Sequence, residues 1–402
     1  MPRPHRIAVF STIAALGIAC GPRAVTPPIA PPPCPSTAAT MSPPPAAEPA
    51  PKPSVSTPSL ALGDAHTCAS LVSQGVWCWG KNNHGQLGDG TRTSRRSPVR
   101  VFAEPVSTLA AGGDHTCADA HCWGRNTNGQ LGDGTRIDRD SPVTPSALLN
   151  GAPFEAERGE RWLLNASGSC LVQPQESGYW ARCSTPGIFP HASCKPPSFC
   201  TEWFTGGAGR GDNLCISRAG YGGHTTGSIR CAHDDDHLGR PITPPEDPPP
   251  LGGTLQTLLQ FTLGKGFACG VQLDGRIVCW GDLSGLRGTG SHKPETLVSG
   301  YWSARSVVAG DRFACFIRAD EHVLCFGSEP ALGLPTGPHR GLGEPRLALD
   351  QVSPMVTLGA GPRHVCAATY NDVFCWGKND DGQLGDGTTT DRPAPVPVPL
   401  PK

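Results

Sequence analysis

Charge is scarce in this chain and close to balanced. Charged residues make up 17% of 402 residues, and the formal net charge is −1. No long basic run occurs, so the footprint that nucleic acid or an anionic lipid surface demands is missing. Aromatics are sparse too, at 6%. Such a composition excludes an acidic disordered tail and a long coiled coil. Long apolar runs are lacking beyond the first twenty residues. Leu, Ile and Val come in short stretches broken by Gly or Pro, which favours many short strands over long helices. His-Glu-x-x-His, Gly-x-Ser-x-Gly and phosphate-loop patterns are absent, which argues against an enzyme. What the chain has in quantity is Gly (51), Pro (44) and Cys (18).

The first residues read as an export signal. Arg3, His5 and Arg6 precede "IAVFSTIAALGIA", and Cys20 follows. An apolar run of about a dozen residues is too short for a permanent bilayer span. Cysteine directly after "GIA" resembles the lipobox of bacterial lipoproteins, in which that cysteine is lipidated and becomes the new N-terminus. The resemblance implies a lipid anchor on Cys20, and Gly21 behind it implies an outer membrane. Plain signal cleavage and an uncleaved anchor are the alternatives. The expected layout is a signal peptide over residues 1–19, a Pro/Ala-rich tether over 20–58, and one folded array over 59–402. The tether has almost no large apolar residue and cannot bury a core, so it reads as an extended spacer. Cys34 within it has no evident partner.

The array is built from copies. "CWGKNNHGQLGDGT" begins at Cys78, "CWGRNTNGQLGDGT" at Cys122 and "CWGKNDDGQLGDGT" at Cys375. The first cysteine of each copy falls at Cys68, Cys117, Cys170, Cys215, Cys269, Cys315 and Cys366, a period of about fifty residues. That period suits a four-stranded sheet repeated around an axis. The second cysteine falls at Cys78, Cys122, Cys183, Cys231, Cys279, Cys325 and Cys375. Turn residues such as "LDGR" at Leu273 and "ADEH" at Ala319 lie between the two. A turn midway places the cysteines opposite each other on adjacent antiparallel strands, near the separation that a disulfide spans. One bond per copy is therefore expected, with metal ligation and free buried thiols as the rival readings. Cys194 and Cys200, in "CKPPSFC", are placed to bridge each other.

In "CWG" the Cys and the Trp point to opposite faces of a strand. Trp79, Trp123, Trp280 and Trp376 are expected to face a neighbouring sheet and fill the space between them. "NxxGQLGDGT" reads as the loop leaving the inner hairpin, with Asp89, Asp133 and Asp386 capping its turn. Its acidic spacing does not match a calcium loop.

At "GxxHxC…CWGxNxxGQLGDGT" the chain resembles the repeat family of the regulator of chromosome condensation. The resemblance implies an all-β fold, a seven-bladed β-propeller. Its closure is expected from the C-terminal strand "APVPVPLP", lying in the first blade. The family's namesake promotes nucleotide exchange on a small GTPase, and exchange activity is the lesser alternative here. The export signal and paired cysteines point instead to a non-enzymatic surface lipoprotein that binds a protein or a glycan. It is expected to be a monomer without cofactor, metal or nucleic acid. A purely structural envelope component is the second reading. The binding candidates are Trp203, Phe204 and Tyr221, spare aromatics in the copies that depart most from the pattern. The "HDDDH" cluster from His233 to His237 could hold a metal but reads as a solvated loop. His66, His115 and His364 recur in "HxC" and read as features of the repeat, not as one catalytic histidine.

Overall fold

The computed structural model describes residues 57–149, 160–175, 178–184, 204–210, 213–219, 225–232, 258–287, 295–298, 303–334, 345–350, 354–355 and 357–401. The chain divides into two units, Met1–Pro51 and Lys52–Lys402, and every described strand lies in the second. The signal segment, most of the tether, Cys20, Cys34, Cys194, Cys200, Trp203, Tyr221 and the His233–His237 cluster lie outside the described residues.

Among the described residues, seven antiparallel sheets follow one another along the chain. The first is β1 (Ser59–Leu62), β2 (His66–Leu71), β3 (Gly75–Gly80) and β4 (Arg95–Phe102). The second is β5 (Leu109–Ala111), β6 (His115–Ala118), β7 (His121–Gly124) and β8 (Arg139–Val143). Three-stranded sheets come next: β9 (Arg161–Leu164), β10 (Ser169–Gln175) and β11 (Gly178–Cys183), then β12 (Phe204–Arg210), β13 (Asn213–Ala219) and β14 (Thr225–Ala232). The fifth is β15 (Leu258–Leu263), β16 (Phe267–Gln272), β17 (Ile277–Gly281) and β18 (Glu295–Val298). The sixth is β19 (Ala304–Ala309), β20 (Phe313–Arg318), β21 (Val323–Gly327) and β22 (Arg346–Leu349). The last is β23 (Thr357–Ala360), β24 (His364–Ala368), β25 (Val373–Gly377) and β26 (Arg392–Pro397).

Each sheet meanders outward, and the innermost strands lie beside one another in chain order, with β23 against β1. The architecture is an all-β propeller. Six blades are described with an inner-hairpin disulfide, against the seven expected. The fourth sheet, β12–β14, is described by its backbone alone. There Cys215 stands opposite Cys231 in register, and the side chain of Phe204 is outside the described residues.

The expected clasp is corrected. "APVPVPLP" does not enter the first blade: β26 pairs with β25 of the last blade, and the first sheet is complete with β4 on its edge. The reason is local. The strand after each "GQLGDGT" loop folds back onto the strand that precedes the loop, so the first, second and last copies each supply their own outer strand. Pro98, Pro142 and Pro393 lie in these outer strands, where a missing amide proton costs nothing and blocks pairing with another chain.

The core lies between blades. Cys68 and Cys78 are directly opposed at a Cα separation of 4.1 Å, and both are buried. Their bond packs with Trp123 of the next blade. The same pairing recurs for Cys366–Cys375 with Trp79, Cys315–Cys325 with Trp376, and Cys269–Cys279 with Phe326. At these four joints the disulfide faces forward around the ring and the aromatic faces back. Trp280 departs from the expectation and is only half-buried. The blade behind it is the fourth, whose loop region carries "HDDDHLG" in place of "GQLG".

Candidate interaction face

One end of the blades carries the β1–β2 type turns and the long β3–β4 type loops. The loop of the first blade is organised by Asn82, which is fully buried. Its Nδ2 donates to Asp89 Oδ1 at 3.0 Å, to the Thr91 carbonyl at 3.0 Å and to the Thr93 carbonyl at 3.1 Å. Its Oδ1 accepts from the Leu87 amide at 3.0 Å. Asn126 and Asn379 make the same bonds in the second and last blades. As expected, Asp89 caps the turn by accepting from the Thr91 amide, and it also takes Arg95 at 2.9 Å. Burial works against ionisation of Asp89, yet bonds from Thr91, Arg95 and Asn82 hold its carboxyl below the usual range. These groups satisfy each other and leave the loops rigid.

The loop of one blade is the seat of the next. The Gln86 carbonyl accepts from Trp123 Nε1 at 2.9 Å and from Thr116 Oγ1 at 3.1 Å. Gln383 does the same for Trp79 and Thr67, both at 2.9 Å, and so closes the ring. A Cβ on Gly88 would lie 2.8 Å from Trp123 Nε1, so only glycine admits the indole. At the second-to-third joint no indole reaches Gly132: Leu148 lies where a Cβ there would meet it at 2.6 Å, and Trp162 of β9 donates its Nε1 to the Asp119 carbonyl instead.

The recurring histidines belong to the same joints. His66 Nε2 lies 2.9 Å from Thr116 Oγ1, His115 Nε2 lies 2.9 Å from Ser169 Oγ, and His364 Nε2 lies 3.0 Å from Thr67 Oγ1. The Thr116 hydroxyl proton is committed to Gln86, so His66 is the donor and its proton sits on Nε2. In the fifth and sixth blades Phe267 and Phe313 replace the histidine. They precede blades with Ala314 and Val365 in place of the hydroxyl residue. Reading the copies separately hid this. The signal was present as a pairing between one copy and the next: His with Thr or Ser, Phe with Ala or Val.

Charged pairs straddle the joints at the rim of this face. Lys81 Nζ lies 3.2 Å from Asp114 Oδ1, which also accepts from Gln86 Nε2 at 3.0 Å. His84 Nδ1 lies 2.7 Å from Asp138 Oδ2 across the same joint. Between the sixth and last blades the sign is reversed: Arg363 pairs with Glu329 at 2.9 Å. That bond to Glu329 raises the Arg363 guanidinium further above its ordinary value. At the ring closure Ala65 occupies the equivalent position, and Lys378 turns to Asp380 and Asp391 of its own blade. Lys81, Asp114, Arg363 and Glu329 were not singled out in the sequence, because charge at these turns changes sign from copy to copy.

Of the residues singled out for binding, Trp203 and Tyr221 lie outside the described residues, as does the side chain of Phe204. Among the described residues no group of three or more His, Cys, Asp or Glu is arranged to hold a metal ion.

Family comparisons match this geometry. Two models described as "Regulator of chromosome condensation (RCC1) repeat" match the chain, one at residues 74–118, 119–155 and 370–402, the other at 59–86 and 356–383. The ultraviolet-B receptor UVR8 of Arabidopsis thaliana is 25% identical over 84% of this chain and 80% of its own. The human E3 ubiquitin-protein ligase HERC2 is 37% identical over 62 residues, 15% of this chain and 1% of that protein. Among solved structures, human WBSCR16 superposes with a TM-score of 0.60 at 19% identity, covering 81% of this chain and 94% of its own. Prp20p of Saccharomyces cerevisiae, described with its binding to Gsp1p and histones, gives 0.60 at 19% identity, covering 82% and 87%.

Proposed function

This chain belongs to the RCC1 repeat family, and from that premise we propose that it is an exported binding scaffold presenting the loop face of a closed propeller to a protein partner. The ring has seven blades in this reading, with β12–β14 as the fourth, since β12 lies between β9 and β15. Cys20 carries the lipid that holds a monomer at a bacterial envelope, with residues 20–58 as the spacer.

The observation that carries the reading is the loop face of the last, first and second blades. Its loops are internally bonded, and Lys81 and Arg363 stand at its rim, each paired across a joint with a more buried carboxylate, Asp114 and Glu329. A rigid surface with fixed charges at its joints suits a protein with complementary charge, by which register and encounter rate are set. A glycan would call for an aromatic platform on that face. The exposed aromatic among the described residues is Tyr370, in the turn between β24 and β25 at the other end of the blade. The binding of Gsp1p and histones is a property of the yeast protein, and 19% identity carries the fold alone.

The test is site-specific photo-crosslinking in intact cells with the full-length chain. Probes at Asn83 and Arg125 on the loop face are expected to give a discrete protein adduct that a probe at Tyr370 does not. Adducts absent from the loop face, or equal at both ends, would overturn the reading. Cys20→Ser is expected to move the protein from the membrane fraction to the soluble one.

A further inference from the structure

The joints whose side chains are described are of two kinds, and they are segregated. Last-to-first, first-to-second and second-to-third joints carry a buried histidine bonded to a hydroxyl of the next blade. Fifth-to-sixth and sixth-to-last joints carry Phe267 against Ala314 and Phe313 against Val365, with nothing to titrate at that position; the Arg363–Glu329 pair lies at the rim of the sixth-to-last joint.

In the first arc the histidines are held so that a second proton has no place. His66 and His115 are fully buried, and neither Nδ1 has a hydrogen-bond partner. Each ring lies close over the turn that precedes it. A Cβ on Gly63 would lie 2.1 Å from His66 Cε1, and one on Gly112 would lie 2.3 Å from His115 Cε1. A proton on Nδ1 would therefore bury a charge and a donor without an acceptor, and the cost is relieved by exposing the ring to water.

We propose that this arc is an acid-released latch: protonation of His66 and His115 opens the ring at the first-to-second and second-to-third joints, while the apolar joints of the opposite arc hold. The groups facing His66 are Asp114, which favours its charge, and Lys81, which opposes it. Those facing His115 are His66, which opposes its charge, and Asp114, which favours it. Asp114 is itself engaged by Lys81 and Gln86, which limits its help. Burial is the larger influence and lowers His66 to about 4 and His115 to about 3, from an ordinary value of 6.5. Both shifts are downward in a base. The stability they contribute is present above pH 6.5 and is lost as pH falls from there towards the folded values. Asp89, Asp133 and Asp386 lie below their ordinary 3.8, so the loops keep their charge down to about pH 5 and do not confound a comparison above it.

Hydrogen exchange on the whole protein, compared between about pH 7.5 and about pH 5 after correction for intrinsic rates, tests the latch. Each histidine that gains a proton on opening steepens local opening by up to about tenfold per pH unit below its unfolded value. Protection is expected to fall at His66–Leu71 and His115–Ala118 and to stay within a few-fold at Phe267–Gln272 and Phe313–Arg318. A uniform loss around the ring overturns the proposal. The protein supplies the control joint: His66→Phe with Thr116→Ala, and His115→Phe with Ser169→Ala, are expected to flatten the pH response of their own joint. A folded double variant that keeps the full response overturns the proposal. Should a variant fail to fold, side-chain NMR of the wild-type histidines decides it. His66 and His115 still neutral at about pH 5 in the closed form support the latch, and titration near their ordinary value refutes it.

Discussion

Asn82, Asn126 and Asn379 each hold a loop with one amide. The amide nitrogen faces three or more oxygens, among them the carboxylates of Asp89, Asp133 and Asp386. Asn126→Asp keeps the shape but turns the donor into an acceptor beside Asp133, so repulsion replaces attraction. Asn126→Ala only leaves groups unpaired, at about 1–3 kcal/mol for each one that water does not reach. The aspartate variant is expected to be the less stable of the two at neutral pH, as denaturant midpoints would show. Equal midpoints would mean that water relieves the site. The tryptophans admit a similar comparison. Trp123→Ala removes a buried ring and its bond to Gln86, a class of change that costs about 3–5 kcal/mol. Trp280→Ala should cost clearly less, since that ring is already half in water. The burial of Trp79, Trp123 and Trp376 was legible because Cys and Trp alternate across a strand. The loop asparagine was not, because its four partners lie up to eleven residues away and only the folded loop gathers them.

The hairpin is the element that the sequence states most openly. Two cysteines with turn residues between them and "WG" behind fix the register, and the bonds form between directly opposed positions. The loops they close differ in length. Cys117 and Cys122 are separated by five residues, Cys68 and Cys78 by ten. In the chain-entropy model the bonds contribute about 2 and about 2.7 kcal/mol. Replacing both cysteines by alanine is therefore expected to cost slightly more at Cys68–Cys78, where Trp123 also loses packing. Calorimetry of the two double variants would check the order, and a larger loss at Cys117–Cys122 would show that packing against Trp162 and Leu171 outweighs chain entropy there. The outer strand was misplaced for a related reason. In the sequence "PVRVF" stands between the "GQLGDGT" loop of the first copy and the "HxC" of the second. Only the backbone pairing of Cys78 with Val99 shows that it ends the first.

At the scale of the ring, closure needs no shared strand. Leu60 and Leu62 of β1 pack with Val373, Leu384 and Val398 of the last blade, and Leu60 also lies close over Gly359. Thr67 and Trp79 complete the joint through Gln383 and His364. The seam between the chain ends is thus a joint of the same kind as those within the chain. Removal of Arg392–Lys402 discriminates between the two ways of closing. With β26 gone, β25 loses its outer neighbour, and amides of Val373–Gly377 should exchange faster. Gly75–Gly80 keeps β4 on its outer side and should remain protected relative to β25. A clasp would give the opposite pattern, because the C-terminal strand would then have been the first blade's edge. Loss of Val398 and Leu400 from the seam adds a second signature, a moderate weakening at Ser59–Leu62. Faster exchange that appears first at Gly75–Gly80 would return the argument to strand exchange. Faster exchange at Val373–Gly377 and Ser59–Leu62 alone would leave side-chain packing as what holds the ring shut.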